Sequence, residues 1–328
     1  SPRLVLDDPD HHVSGRPYRR RMRALQRMGE RLEQTARIAH STPTKAGRER
    51  SRSALSLFGL LSGPLSWLLV VYVGSLALLV VSAFFSLDDF TGKATNDLTM
   101  RNVKEAFTEG EYVSLVARSV GVAAAATLIC LALALPAAFY ISRIASRRTK
   151  RGLIVAMLLP LWTGYLVKAF ALRAVFEPGS EFGQGGLLKS LIGWSPGFGY
   201  VAVVLTLAYL WFPYMVLPIY AGLERLPDSL IDASSDLGAS TARTFRSVIV
   251  PQLIPSIAAG SIFTFSLSLG DYITVKIVGG TAQMIGNIIE RALLAPNQPL
   301  AAAFTLWPIV IMVVYLTVMG RLGALRNL

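Results

Sequence analysis

Three ionisable side chains stand inside long apolar stretches of the sequence. Lys168 and Arg173 occur in PLWTGYLVKAFALR, and Asp271 occurs in SLSLGDYITVKIVGG. Because a charge at the centre of a bilayer costs about 2.5 to 3.5 kcal/mol on insertion scales, such a residue is expected to bind a ligand or to be paired. Two roles are open for Asp271. It contacts a polar ligand, or it pairs with Lys168 or caps the end of a helix.

Few groups in the sequence suit catalysis or metal binding. The one cysteine, Cys130, lies in an apolar stretch, and the three histidines, His11, His12 and His40, lie near the beginning of the sequence, so no thiol-based metal site is expected. No Gly-x4-Gly-Lys-Ser/Thr phosphate loop, His-Glu-x-x-His motif or nucleophile elbow occurs. We therefore expect no catalytic residue, no metal site and no cofactor bound by this chain.

The composition is typical of a protein with several membrane spans. Of the 328 residues, 53% are hydrophobic and 16% are charged, and the mean hydropathy is +0.50, which is too apolar for a soluble domain. Six apolar stretches have about the 20 residues with which a helix crosses about 30 Å of hydrocarbon. They are residues 63–86, 113–141, 152–175, 198–222, 253–275 and 300–321. The predicted fold class is an all-α polytopic membrane protein.

The charges between the spans predict the orientation of the chain. The loop after the first span is acidic and is expected outside, whereas the loop after the second span, SRIASRRTKRG, is strongly basic and is expected in the cytoplasm. The net charge of +12 is therefore attributed to membrane orientation rather than to nucleic-acid binding. Counting from a cytoplasmic N-terminus, the loop between the fourth and fifth spans and the C-terminus also face the cytoplasm.

Residues 1–60 form a basic tail that we assign to the cytoplasm. The segment RRRMRALQRMGERLEQTARIAH could form an amphipathic helix on an anionic lipid surface, and a partly disordered tail is the alternative. Residues 61–328 are predicted to form one membrane domain of six helices.

A polar insert, PDSLIDASSDLGASTARTFRSVIVP, occupies residues 227–251, between the fourth and fifth predicted spans. Its first proline ends the preceding helix, Asp228 or Ser229 can cap a new one, and apolar residues then recur at helical spacing. Gly238 ends this helix, and we expect it to adopt a positive φ. Ser240 and Thr241 can cap a second short helix. The polar insert is thus predicted to form two short helices with a turn between them.

The spacing within the polar insert resembles the EAA loop, Glu-Ala-Ala-x3-Gly-x9-Ile-x-Leu-Pro, of binding-protein-dependent ABC importer permeases. The spacing matches at every step, with Asp for Glu, Ser for the second Ala, and Val for both Ile and Leu. The resemblance implies a type I importer fold, in which this loop forms coupling helices that seat in a groove on a separate ATPase subunit. The residues that match the motif, and that we expect at this contact, are Asp232, Ala233, Ser234, Gly238, Val248, Val250 and Pro251.

Two further segments resemble the spermidine/putrescine branch of that family. PLWTGYLVKAF is similar to Pro-x-Trp-Thr-x-x-Leu-x-Arg-x-Tyr-Ala-Trp, with Lys168 at the Arg position and Leu172 at the last Trp. The segments GDYITVKIVGG and MIGNIIERALLAPNQPLAAA are similar to the Gly-Asp-aromatic, Gly-Gly, Met-Ile-Gly-Asn and Trp-Pro-x-x-Ala-Ala run, where Gln298 replaces the Trp. The similar parts cover about residues 60–325 of this sequence.

The cargo implied by this branch is a polyamine, a flexible polycation that carboxylates and aromatic faces can bind. Lys168 and Arg173 have the wrong sign for such a cargo, so they would have to be paired or turned away. An amino acid, an organic anion or a zwitterion stays open as the alternative cargo. The expected substrate-path residues are Trp162, Tyr165, Tyr209 and Asp271.

The expected function is that of a permease subunit of an ATP-driven importer in a prokaryotic inner membrane, supplying half of the pore. The implied partners are ATPase subunits that carry ATP–Mg, a homologous second permease, an extracytoplasmic solute-binding protein and membrane lipid, without nucleic acid. A secondary transporter is the alternative class, although the sequence shows little sign of inverted repeats or mid-membrane coupling carboxylates. An intramembrane enzyme is a third class, but its motifs are missing.

Overall fold

The computed structural model describes residues 28, 45–87, 94–179, 185–295 and 297–321. Within them the chain is almost entirely helical. The helices are α1 (Lys45–Ser82), α2 (Arg101–Thr108), α3 (Gly110–Phe139), α4 (Arg147–Trp162), α5 (Tyr165–Phe176), α6 (Leu187–Ile192), α7 (Tyr200–Arg225), α8 (Asp228–Asp236), α9 (Thr241–Thr244), α10 (Val250–Leu269), α11 (Ile273–Val278), α12 (Ile285–Leu294) and α13 (Gln298–Arg321). Two π-helical turns, π1 (Tyr140–Ile144) and π2 (Phe245–Ile249), continue α3 and α9.

The chain divides into two units, Ser1–Ser75 and Leu76–Leu328. The amphipathic helix proposed for the basic tail falls on residues outside the described ranges, apart from Met28. The described helix α1 begins at Lys45 and continues past residue 60, where we expected the tail to end. Its portion Ser62–Ser82 is long and apolar enough to cross a membrane.

A two-stranded antiparallel ribbon follows α1, and the all-α prediction did not include it. Strand β1 (Phe85–Leu87) pairs with β2 (Ala94–Leu98). In α2, the Nδ2 group of Asn102 donates a hydrogen bond to the carbonyl of Phe85 at 2.7 Å. This contact ties the ribbon to the helix that precedes the central bundle.

Helices α3, α7 and α10 pack against one another and form the centre of the second unit. On α3 the buried residues Ala126, Cys130, Ala134 and Ala138 recur every four positions, on one face of the helix. Small side chains at this spacing let helix backbones approach closely, which is the usual packing of membrane bundles.

One close contact between α7 and α10 requires glycine. A β-carbon added at Gly260 would lie 2.8 Å from the sulfur and 3.2 Å from the Cα of Met215. Since Met215 is fully buried, its backbone has no room to move away. Gly260 therefore allows these two helices to approach closely at Met215.

Five of the described helices are long and apolar enough to cross a membrane, and a bent pair raises this number to six. The six segments are Ser62–Ser82, Gly110–Ile144, the pair Arg147–Trp162 and Tyr165–Phe176, Tyr200–Arg225, Thr241–Leu269 and Gln298–Arg321. They correspond in order to the six predicted spans.

Two of the predicted spans are not continuous helices. The third, residues 152–175, is bent by 99° between α4 and α5, where Thr163 and Gly164 have extended backbones. Glycine is a poor helix former, which favours a break here. The fifth, residues 253–275, stops at Leu269, because Gly270 ends α10 and a new helix, α11, begins at Ile273.

Candidate functional site

The polar insert, residues 227–251, forms two short helices, as the sequence predicts. Helix α8 ends at Asp236, and α9 begins at Thr241. Between them Gly238 has a φ of +75°, which confirms the expected left-handed conformation. A residue with a β-carbon pays roughly 1 to 2 kcal/mol in this conformation.

The predicted side-chain caps of these two helices are wrong. Helix α8 begins directly after Pro227, and neither Asp228 nor Ser229 caps it. The carboxylate of Asp228 is instead bound by Arg143. Ser240 occupies the N-cap position of α9, but its side chain accepts no capping hydrogen bond.

The motif residues of the polar insert fall into an exposed group and an inner group. Asp232, Ala233 and Gly238 are exposed on α8 and on the turn that follows it. Ser234 is half-buried, and its Oγ lies 2.9 Å from Oγ1 of the buried Thr244, which joins α8 to α9. Val248 and Val250 are half-buried at π2 and at the start of α10, and Pro251 is exposed. The exposed group is the part of the motif that another molecule can reach.

Helix α8 is largely exposed, although its Ile231 packs against the buried cluster at this end of the bundle. None of its residues is buried, and Leu237, directly after it, is 89% exposed. A cavity of about 690 Å³ lies beside it, lined largely by apolar side chains such as Phe139, Ile231 and Phe245. Leu237 was not among the predicted contact residues, because it is not part of the motif. An apolar residue at the tip of a polar turn was the sign in the sequence that could have identified it.

Arg143, in π1, connects the basic loop after α3 to the beginning of the polar insert. Its Nη2 donates to the carbonyl oxygens of Leu223 at 2.8 Å and Leu226 at 2.7 Å. Its Nη1 donates to the carboxylate of Asp228. The sequence analysis did not predict Arg143 as a site residue. It counted Arg143 only among the positive charges that set the orientation of the chain in the membrane.

A second connection joins the basic loop to the end of α7, directly before the polar insert. Lys150 Nζ donates to both carboxylate oxygens of Glu224, at 2.8 and 2.7 Å, and Ser142 donates to the same carboxylate at 2.8 Å. The basic loop and the polar insert therefore lie at one end of the bundle. The prediction that the basic loop and the polar insert both face the cytoplasm requires that they lie at the same end of the bundle.

Tyr165 and Asp271, two of the predicted substrate-path residues, meet beside the break between α4 and α5. The Tyr165 hydroxyl donates to Asp271 Oδ2 at 2.5 Å. Asp271 also accepts from the backbone N–H of Thr274 at 2.8 Å and from its hydroxyl at 3.0 Å. Asp271 thus caps the first turn of α11, which was one of the two roles left open for it.

A row of aromatic rings continues from Tyr165. Its ring stacks on Trp211 with centroids 6.0 Å apart, Trp211 contacts Tyr214 at 5.7 Å, and Tyr214 contacts Phe263 at 6.5 Å. The last three were not among the predicted site residues, although Trp211 and Tyr214 stand three positions apart on one helix face. Trp162, which is 90% exposed, and Tyr209 have no ring contact or hydrogen bond with this row within the described ranges.

The two cations near this cluster differ. Arg173 donates to the carbonyl of Ile277 at 2.5 Å, at the end of α11, and its guanidinium lies 4.8 Å from the centre of the Phe198 ring. The positive charge of Arg173 is therefore bound within the protein, which the sequence analysis required for a cationic cargo. Lys168 forms no ion pair with Asp271, because the ion pairs of the described chain are Arg143–Asp228, Lys150–Glu224 and Lys276–Glu290.

Residues 109–325 match the family described as "Binding-protein-dependent transport system inner membrane component". The chain belongs to this family. It is an ABC importer permease, an integral component of the bacterial inner membrane, as the spacing of the polar insert indicated.

Named permeases resemble this one over most of their length. The inner membrane ABC transporter permease protein YdcU of Escherichia coli is 41% identical over 287 residues, which are 82% of this permease and 90% of YdcU. The spermidine/putrescine transport system permease protein PotB of Haemophilus influenzae is 28% identical over 275 residues, which are 80% and 92% of the two chains.

Two solved structures share the fold of this permease. One belongs to a bacterial ABC transporter involved in the import of the acidic polysaccharide alginate. It has a TM-score of 0.65 and 13% identity and covers 85% of this permease and 98% of that chain. The other is the alginate transporter in complex with its alginate pentasaccharide-bound periplasmic protein, with a TM-score of 0.66, 13% identity and coverage of 84% and 96%.

Proposed function

We propose that this permease forms half of the pore of a polyamine importer, and that its polar insert receives the movement of a separate ATPase subunit. The observation that carries the second part is the exposed surface of α8 and of the turn that follows it. A helix of nine residues is only marginally stable in water on its own, and α8 is held by contacts at Asp228, Ile231 and Ser234. Since no residue of α8 is buried, its outer side is free to bind a partner.

The ATPase is the partner that fits this surface. The permease has no phosphate loop, so the energy source has to be ATP–Mg bound to another subunit. In this proposal the termini and the polar insert face the cytoplasm, where ATP is present. A homologous second permease completes the pore, and an extracytoplasmic solute-binding protein delivers the cargo.

The cluster around Asp271 supports a cationic cargo. The carboxylate of Asp271 accepts hydrogen bonds from Tyr165 and from two groups of Thr274. Its negative charge and the faces of Tyr165, Trp211 and Tyr214 are suited to ammonium groups, which bind both carboxylates and aromatic rings. The similarity to PotB, which is named for spermidine and putrescine, points to the same class.

Lys168 favours the alternative, an anionic or zwitterionic cargo. Within the described residues it has no hydrogen-bonding partner and no ion pair, although it lies in a helix of the bent third span. An unpaired cation in such a segment attracts negative charge. YdcU, at 41% identity, has a printed name that specifies no solute.

Uptake by the intact complex decides between these cargoes. The complex that copurifies with this permease is placed in proteoliposomes together with its binding protein and is supplied with ATP. We expect radiolabelled spermidine or putrescine to accumulate, and unlabelled polyamines to compete better than amino acids or organic anions. Accumulation of an organic anion without any polyamine uptake would overturn the cargo proposal.

A further inference from the structure

We infer that Arg143 is a positioning residue that holds the polar insert at a fixed angle to the membrane-spanning helices. This inference rests on the proposed coupling role of the polar insert. It assigns to the basic loop a mechanical role in addition to membrane orientation.

The contacts of Arg143 lie on both sides of the joint between α7 and α8. The carbonyls of Leu223 and Leu226 belong to the end of α7, where the helix dipole attracts cations. The Leu223 carbonyl also accepts the N–H of Leu226. Asp228 is the first residue of α8, where a carboxylate is favourable. The guanidinium of Arg143 therefore binds carbonyl oxygens at the end of α7 and a carboxylate at the beginning of α8.

The joint itself has little stiffness of its own. Leu226 and Pro227 have extended backbones, with ψ of 118° and 137°. Proline has no N–H group, so no helical hydrogen bond from Pro227 continues α7 across the joint. Without Arg143, rotation about these residues would change the direction of α8 while leaving both helices intact.

Lys150 and Ser142 hold the end of α7 from a second direction. Both bind the carboxylate of Glu224, one turn before the joint. The guanidinium and this pair together fix α7, α8 and π1 as one block. A push on α8 is then passed to α3 and α7, which pack together in the centre of the bundle.

The cations of the basic loop thus divide into two groups. Arg147, Arg148 and Arg151 are exposed and form no ion pair within the described residues, which suffices for membrane orientation. The side chain of Arg143 is only 17% exposed. Partial burial of a charge is unfavourable unless its partners compensate, and orientation does not require it. The exposed arginines provide matched controls on the same loop.

The test uses the intact complex in proteoliposomes and compares substrate uptake with ATP hydrolysis in the same sample. We expect Arg143→Gln to copurify with the ATPase and to lower the ratio of uptake to hydrolysis about tenfold, because a neutral amide cannot keep the three charge-assisted contacts of the guanidinium. Arg143→Lys should fall between wild type and Arg143→Gln, because an ammonium group cannot match the planar fork of the guanidinium. Asp228→Asn should lower the ratio less, about two- to fivefold, since this carboxylate is 80% exposed.

The control variant Arg147→Gln should leave the ratio unchanged. An unchanged ratio in Arg143→Gln would overturn the inference, as would an equal loss in Arg147→Gln. If Arg143→Gln is poorly inserted, Arg143→Lys and Asp228→Asn are compared instead, and wild-type ratios in both would overturn it. Gly238→Val, tested in parallel, separates the two claims. If it uncouples while the Arg143 variants do not, only the positioning role fails, and if it has no effect, the coupling role itself fails.

Discussion

Ser234 and Thr244 face each other across the polar insert, with their hydroxyl oxygens 2.9 Å apart. Thr244 is 4% exposed, so its largely buried hydroxyl would lose its side-chain partner if Ser234 were replaced. The Ser that replaces the second Ala of the EAA pattern therefore joins α8 and α9 into one unit.

Replacement of Ser234 by Ala should loosen this unit. We expect a loss of about 0.5 to 1.5 kcal/mol for the hydrogen bond, seen as faster loss of transport on heating. The Ser234→Ala/Thr244→Val double variant should recover part of that loss, because it leaves no buried hydroxyl without a partner. If the double variant is less stable than Ser234→Ala alone, the contact between the two hydroxyls does not stabilise the insert.

Replacement of Gly238 by Val should uncouple ATP hydrolysis from uptake. The φ of +75° costs a β-branched residue more than the roughly 1 to 2 kcal/mol of an ordinary side chain, so the turn should change shape. Insertion of the permease should be normal, because no other group lies within 4 Å of the added β-carbon. Gly238→Asn is the control, since Asn tolerates this conformation and should retain uptake. Wild-type uptake by Gly238→Val would contradict the role of the turn.

Leu237 is expected to bind the ATPase. Since it is 89% exposed, Leu237→Ser should not alter the stability of the isolated permease. It should reduce the amount of ATPase that copurifies, because burial of a leucine contributes about 1.5 to 3 kcal/mol. Leu237→Met, which conserves the apolar surface, is the matched control. Equal recovery of the ATPase with Leu237→Ser and with wild type would place the contact elsewhere.

Two variants at Asp271 distinguish a capping role from a role in cargo binding. Asn retains an oxygen that accepts the N–H of Thr274, so Asp271→Asn should preserve α11 and the assembled complex while removing the charge. We expect weaker uptake of a polyamine, seen as a raised KM. Asp271→Ala removes the cap as well and should also lower the yield of the complex. Normal polyamine uptake by Asp271→Asn would leave Asp271 with its structural role alone.

The features that could be predicted from the sequence depend on local order. The lengths of the apolar stretches indicated six spans, and the spacing around Gly238 indicated two helices with a left-handed turn, which the structure has. These properties depend on residues within one helix or one turn, so they are visible in a single segment of sequence.

The features that were missed depend on contacts between distant segments. Arg143 and Leu223 are 80 residues apart in the chain, and the basic character of the loop masked the specific role of one arginine. In the same way, the pairing of Asp271 with Tyr165 spans 106 residues. The bend at Thr163 and Gly164 was missed because membrane helices tolerate glycine, so one glycine in an apolar stretch does not by itself indicate a break.

Site-specific cross-linking between the polar insert and the ATPase tests the central claim most directly. A cysteine at the exposed Asp236, in place of Asp, is treated with a short bifunctional reagent in the intact complex, where the native Cys130 is buried. The matched control is Glu109→Cys, also exposed, at the far end of α3 from π1. We predict a cross-link to the ATPase subunit from position 236 and none from position 109. Absence of the cross-link at 236 in a complex that hydrolyses ATP and transports, or labelling of position 236 from outside sealed cells, would contradict the account.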